Sequence, residues 1–423
     1  MEDGREAAGQ SCRREERRVT PEEHAPAATG IDRPATWLGL IVIATFAPAT
    51  AGLLPAIVAT LVDARNLSSV HAGHISSLYS LAGMLAGLLG VLWIRRADRR
   101  TMLAVVILLG LCADLSAVWL HGYAAIAAGR LATGFAGSSV LLIVNATIAV
   151  SHRSERLFGV VLTSQSLLSA VLFFAVPRLS WSVPELFSVL AVCWAISAPF
   201  TLLVPRFPAA TPAQTTEGVP SGRALVRPSV VFLVLAFLCF YIGTGALWTF
   251  LYLIGEWHGI TSSAVGFAIS LAMLCAIVGG LAVVLLGKRY GRSWPLIIGL
   301  AANAAFTAVL LLPIGIGAYA IAACATNLLF TFALALFLTL LGEEDPAGRL
   351  LSSANVVIFG GLALGAWLFA SSTEGGNYRT LLIGTLGFFL ASPALLLLRL
   401  VIPWQPKLED TADYREVELP RAR

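Results

Sequence analysis

Apolar runs of about twenty residues, broken by short polar or basic stretches, recur along almost the whole chain of 423 residues. As a helix, a run of that length crosses the ~30 Å hydrocarbon core of a bilayer. Splitting the chain at clusters of charge, Pro and Gly predicts twelve such helices, over 36–62, 72–93, 101–120, 123–150, 157–177, 184–204, 229–255, 261–287, 294–314, 317–341, 350–371 and 380–402. The expected fold class is an all-α membrane protein.

The polar stretches carry the domain organisation. Residues 1–35 mix Arg13, Arg14, Arg17 and Arg18 with Glu15, Glu16, Glu22 and Glu23 and lack large aromatics until Trp37, which predicts a disordered tail. The first apolar run begins near Thr36, too late for a secretory signal, so no cleavage is expected. The longest internal polar stretch, 205–228, is rich in Pro, Thr, Ser and Ala and reads as a linker. It separates two six-helix bundles, 36–204 and 229–402, and a short tail follows over 403–423.

Composition narrows the function classes. With 57% hydrophobic and 12% charged residues, the chain is far too apolar for a soluble enzyme. A net charge of +4, spread in small clusters between apolar runs, argues against nucleic acid as a partner. Cys112, Cys193, Cys239, Cys275 and Cys324 all fall inside apolar runs, so the cysteines are not a disulfide framework. Charge also orients the chain, because short cytoplasmic loops retain Lys and Arg. One alternate set of loops holds Arg95, Arg96, Arg99, Arg100, Arg153, Arg156, Arg206, Arg223, Arg227, Lys288, Arg289, Arg292 and Arg349, and the other only Arg65, Arg178 and Arg379. Both termini are expected in the cytoplasm, with the protein in the plasma (inner) membrane. Trp37, Trp93, Trp119, Trp181, Trp257, Trp294 and Trp404 sit near predicted helix ends, where amphipathic rings anchor.

The halves repeat each other. An offset of 193 residues carries Arg156 onto Arg349 and Gly87 onto Gly280, and it lays the basic turn 95–100 over 288–293. Such repeats are the pattern of two-bundle transporters, whose site lies between the halves near the midplane. The turn after helix 2, with Arg96, Arg99 and Arg100 before Met102-Leu103, resembles the Gly-x-x-x-Asp-Arg-x-Gly-Arg-Arg motif of the major facilitator superfamily. Arg95 stands at the motif's Asp and Asp98 at its second Gly. A second copy holds Arg289, Gly291 and Arg292, and Arg130 with Gly134 resembles the family's Arg-x-x-x-Gly motif in helix 4. The resemblance, over about 36–402, is to the drug:proton antiporter 1 branch of drug and sugar efflux proteins. It implies secondary transport by alternating access, with proton-coupled efflux expected. Arg96, Asp98, Arg99, Arg100, Arg289, Gly291 and Arg292 would then form a cytoplasmic gate, or serve only as topology signals. The branch's Gly-Pro-x-x-Gly-Gly signature is absent from 158–177.

Two ionised residues stand well inside the predicted spans, Asp114 and Arg130, at similar depths of roughly 8 and 10 Å from the outer surface at ~1.5 Å per residue. Intramembrane ions are costly, about 2.5–3.5 kcal/mol on insertion scales, and usually functional. Two readings stay open. The pair is a static lock in one hairpin, or Arg130 faces the cavity and is released when Asp114 takes a proton. Asn145, Gln165, Asn303, Asn327 and Asn355, with Tyr241 and Trp248 two turns apart on one helix, are the candidates for the substrate cavity. Gly83, Gly87, Gly361 and Gly365 form small-x-x-x-small pairs suited to close packing, and Pro48 and Pro55 should bend helix 1. His71 and His74 lack further ligands, so neither metal nor cofactor is expected.

The expected partners are a small-molecule substrate, the lipid bilayer and, as a candidate, protons, with the chain acting as a monomer. A facilitator or importer of the same fold is the alternative, as is a non-transporting sensor, although its tails are short. A membrane-embedded enzyme would show DDxxD, HExxH or a comparable cluster at depth, and Glu343-Glu344-Asp345 lies in a short turn instead.

Overall fold

The computed structural model describes residues 32–65, 67–93, 98–120, 122–179, 182–206, 227–286, 291–344 and 349–401. Most of the expected linker and tails, along with Arg96, Arg289, Trp181 and Trp404, lie outside the described residues. Ten helices among the described residues are long and apolar enough to cross a bilayer. They are α2 (Ser69–Trp93), α3 (Arg99–Trp119), α4 (Tyr123–Ile148), α5 (Ser154–Arg178), α6 (Val183–Phe200), α7 (Pro228–Trp257), α8 (Ser262–Leu286), α10 (Ile316–Glu344), α11 (Arg349–Ala370) and α12 (Arg379–Val401). Two shorter spans complete the twelve: α1 (34–65), and α9 (Ser293–Val309).

Local chemistry sets the helix starts. Asp98 caps α3, accepting from the Thr101 backbone N–H at 3.1 Å and its hydroxyl at 2.8 Å. The Ser182 N–H donates to Glu185 Oε2 at 2.6 Å at the start of α6. Pro34 and Pro228 open α1 and α7, where a missing N–H costs nothing.

The first span departs from the expected single bent helix. It is three segments, Pro34–Phe46, Ala49–Gly52 and Leu54–Arg65, with breaks at Pro48 and Leu53. Pro48 stops the first segment, as a ring without an N–H must. Pro55 instead falls in the first turn of the last segment, where it removes no intrahelical bond.

Packing follows the repeat. In the first half α2 packs on α4, α3 on α4 and α6, and α1 on α5 and α6. A step of six helices gives the second half: α8 on α10, α9 on α10 and α12, α7 on α11 and α12. Across the seam α2 meets α11 and α5 meets α8, which the same step interchanges. The fold is thus two pseudo-symmetric six-helix bundles. Aliphatic side chains within the spans, such as Val105, Leu108 and Ile298, are exposed on the outer surface, as lipid-facing positions are.

The seam is closed at one end. Ser69 donates to the Thr373 carbonyl at 3.1 Å, Ser77 to that of Ala363 at 2.9 Å, and Ser270 to that of Ala170 at 2.8 Å, while Ser76 and Thr249 share a hydroxyl pair at 3.0 Å. All lie in the half of the molecule away from the basic turns. Leu162 of α5, nearer the basic turns, is exposed.

Of the four packing glycines expected, three are tightly enclosed. A side chain at Gly361 or Gly365 would overlap the backbone of α7, at Tyr241–Ile242 and at Ile242 and Ala246, and one at Gly83 would meet Ser138 and Phe359. Gly87 has only Asn355 Cβ, at 3.8 Å. Gly365→Leu is therefore expected to destabilise the second bundle by about 1–3 kcal/mol through overpacking, whereas Gly87→Ala changes the melting temperature in detergent little. A thermal-denaturation comparison of the two variants checks this.

Candidate functional site

A cavity of about 340 Å³ lies between the two halves. The break in α1 contributes Pro48 and Gly52 to its wall, so the interruption of that helix makes room where an unbroken one would fill it. Across the cavity stand Trp248 of α7, Phe330 of α10 and Phe359 of α11. Among the described residues, no Asp, Glu, Lys, Arg or His belongs to its lining. The wall is apolar and aromatic with scattered hydroxyls and amides, the composition of sites that bind small organic molecules.

Four of the seven expected cavity residues line it: Gln165, Trp248, Asn303 and Asn327. Gln165 Nε2 donates to the Ala44 carbonyl at 2.8 Å, and Asn327 Nδ2 to that of Ala323 at 3.1 Å. Asn303 is buried with Oδ1 unpartnered, and Trp248 packs edge-on against Phe173 with ring centroids 6.1 Å apart. The other three are corrections. Tyr241 is buried edge-on to Phe237 at 5.0 Å and Phe240 at 5.5 Å, because Gly361 lets α11 pack directly on it. Asn145 is exposed near the far end of α4, and Asn355 faces Gly87 in the α2–α11 contact. Neither belongs to the cavity lining. Tyr79, Ser80, Ser169, Thr249, Thr326 and Phe389 line it without having been expected, since hydroxyls and apolar rings in lipid are too common to stand out in one sequence.

Asp114 and Arg130 form an ion pair with almost no exposure. The second Asp114 oxygen accepts from Trp194 Nε1 at 2.9 Å, and the guanidinium lies 4.6 Å over the Phe187 ring. Gly110 permits this arrangement, since a side chain there would overlap the Trp194 indole. The pair is thus enclosed by α3, α4 and α6, and neither member lines the cavity. Tyr79, which does line it, is within electrostatic reach of both.

Over residues 38–366 the sequence matches the family model described as Major Facilitator Superfamily. The chain belongs to that superfamily. No curated protein matches the sequence. Among solved structures, a single-substitution mutant of the nucleoside transporter NupG superposes with a TM-score of 0.72 at 15% identity, covering 86% of this chain and 99% of that one. NupG without that substitution gives 0.68 at 16% identity, covering 87% and 99%. At such identities the likeness establishes the fold, and the superfamily is one of transporters rather than enzymes.

Within this member of the superfamily, Arg99 and Arg292 of the basic turns make contacts inside their own bundles. Asp98 is spent on the α3 cap, and Arg99 Nη1 donates to Thr147 Oγ1 of α4 at 3.4 Å. Arg292 pairs with Glu343, and Gly291 takes φ +70, a left-handed turn that suits glycine. Arg399 pairs with Glu344 and donates through Nε to Ser229 at 2.9 Å. Arg100 is half-buried at the start of α3, and Arg96 and Arg289 lie outside the described residues.

Removing one partner of a buried pair strands the other's charge, which typically costs 3–5 kcal/mol, whereas an apolar replacement of both is close to neutral. Asp114→Asn and Arg130→Ala are each expected to lower folded yield and melting temperature. Asp114→Leu combined with Arg130→Met should recover most of the loss in the same thermal assay.

Proposed function

We propose that this superfamily member moves a small uncharged organic molecule across the membrane by alternating access, with the bundles 36–204 and 229–402 rocking about the seam. The observation that carries this reading is the cavity at the seam, hydrogen-bonded shut at one end and lined by no ionised side chain. A charged solute entering it would lose its hydration with no counter-charge to replace it. An uncharged solute loses far less. The basic turns support a cytoplasmic open end and cytoplasmic termini by the positive-inside rule, and the plasma (inner) membrane is part of the same reading. The chain acts as a monomer in this reading, since the cavity is complete within it. Nucleosides, the substrates in the name of the two structural neighbours, are uncharged and are the first solutes to try.

A second reading, proton-coupled efflux, draws on one observation: among the described residues the buried carboxylate is Asp114 of the first bundle, within electrostatic reach of Tyr79 on the cavity wall. It was expected from the resemblance to the drug:proton antiporter branch. Uptake or facilitated diffusion needs no such group.

Flux of radiolabelled uncharged and charged solutes into proteoliposomes tests both. Transport of uncharged solutes alone, unchanged by a protonophore, is expected. Preference for a charged solute would overturn the proposal, and abolition by the protonophore would favour coupling through Asp114.

A further inference from the structure

The cavity is lopsided. It draws on all six helices of the second half, Asn303 of α9 and Phe389 of α12 included, but only on α1, α2, α4 and α5 of the first. Helices α9 and α12 pack within their own half, so the cavity reaches past the seam into the second bundle. The repeat shows what differs. The 193-residue offset places Asn303 opposite Gly110, and Gly110 is the point where the Trp194 indole closes the first bundle. In the second bundle an amide stands at that position and its surroundings are open to the cavity.

Asn303 is 2% exposed, and its Oδ1 has no hydrogen-bond partner. The aromatic rings that line this side, Trp248, Phe330, Phe359 and Phe389, all belong to the second half, whereas the first half supplies Tyr79 alone. Phe330, Phe359 and Phe389 cannot donate to the amide as the Trp194 indole does to Asp114 in the first bundle, and no hydrogen bond joins it to the Trp248 indole. A buried acceptor without a donor is unfavourable until something supplies one. Flat rings offer aromatic walls the largest contact for the least conformational loss.

We propose that this recess is a recognition subsite for an uncharged planar ring with an N–H or O–H donor on its edge, the donor landing on Asn303 Oδ1 and the ring faces lying against the second-half aromatics. It rests on the transport reading above and specifies the substrate class. Such a site rejects an analogue lacking the donor, because Asn303 is then left unpaired under the ring.

The test uses the full chain in detergent and matched pairs of uncharged rings: uracil with 1,3-dimethyluracil, and theobromine with caffeine, in which methyl groups replace the ring N–H. Mannitol serves as the non-planar control. Equilibrium binding and thermal shift are expected to show at least one N–H ring binding tenfold or more tightly than its methylated partner. Asn303→Leu should erase that preference, whereas the shape-preserving Asn303→Asp, which keeps an acceptor oxygen at that position, should retain it. The proposal is overturned if both members of every pair bind alike, if mannitol binds better than any ring, or if no ring binds. Flux of labelled mannitol and uracil separates the two levels: mannitol transport without ring transport removes the subsite and leaves the transport reading standing, whereas no flux of either removes both.

Discussion

In hydrocarbon, no hydrophobic force drives one apolar helix against another, so the packing of this chain depends on how closely its backbones approach and on what satisfies their polar groups. Both appear at the same contacts. Gly361 and Gly365 let α11 rest on the α7 backbone, and Gly134 lets α4 rest on that of α2 at Tyr79. Hydroxyls complete the joints by donating to carbonyls on neighbouring helices: Thr331 to Ala276 at 2.7 Å, Ser392 to Ala236 at 2.8 Å, and the Tyr319 hydroxyl to Leu251 at 2.8 Å. The serines that close the seam use the same bond. Each such bond is individually weak, averaging about 0.6 kcal/mol in membranes. A closed end held by a few of them can open, and the bundles on either side are held by many more contacts.

The halves share a fold but divide the chemistry. The first bundle spends its polar interior on itself, with Asp114 held by Arg130 and Trp194 and the guanidinium covered by Phe187. In the second bundle Thr307 and Ala323 occupy the corresponding positions, and Thr307 turns its hydroxyl back to the Asn303 carbonyl at 2.8 Å. That bundle needs no ion pair to fill its interior, and its unsatisfied polar atom at Asn303 borders the cavity.

Span lengths and the repeat were legible in the sequence because each rests on a property of consecutive residues: apolar length against bilayer thickness, and basic turns at a fixed offset. The break in α1 was half legible. Pro48 and Pro55 look alike in sequence, and only the start of a new segment at Leu54 separates a breaker from a harmless first-turn proline. Asp114 and Arg130 stood out because a charge in lipid is rare, yet that rarity did not say which way they point, and they point into their own bundle. The cavity wall was the least legible. Helices apolar on every side carry almost no facial signal, so Tyr241 and Trp248 looked equivalent until packing put one in the aromatic core of α7 and the other on the cavity.

An uncharged cavity has an electrical consequence. Moving one elementary charge through a 100 mV potential changes its energy by about 2.3 kcal/mol, more than most single contacts in a membrane. Among the described residues the cavity wall carries no ionised group, and in the proposed cycle the buried pair would move with its bundle as a neutral unit. Rocking an uncharged solute past such a wall therefore does no electrical work. Its direction is set by the solute gradient alone unless Asp114 exchanges a proton during the cycle. That exchange would have to part Asp114 from both Arg130 and Trp194 at a site enclosed by three helices, a far larger rearrangement than opening a few serine–carbonyl bonds at the seam. In the proposed transport cycle the seam is thus the part that moves at low cost, and the ion pair belongs to the frame of its bundle.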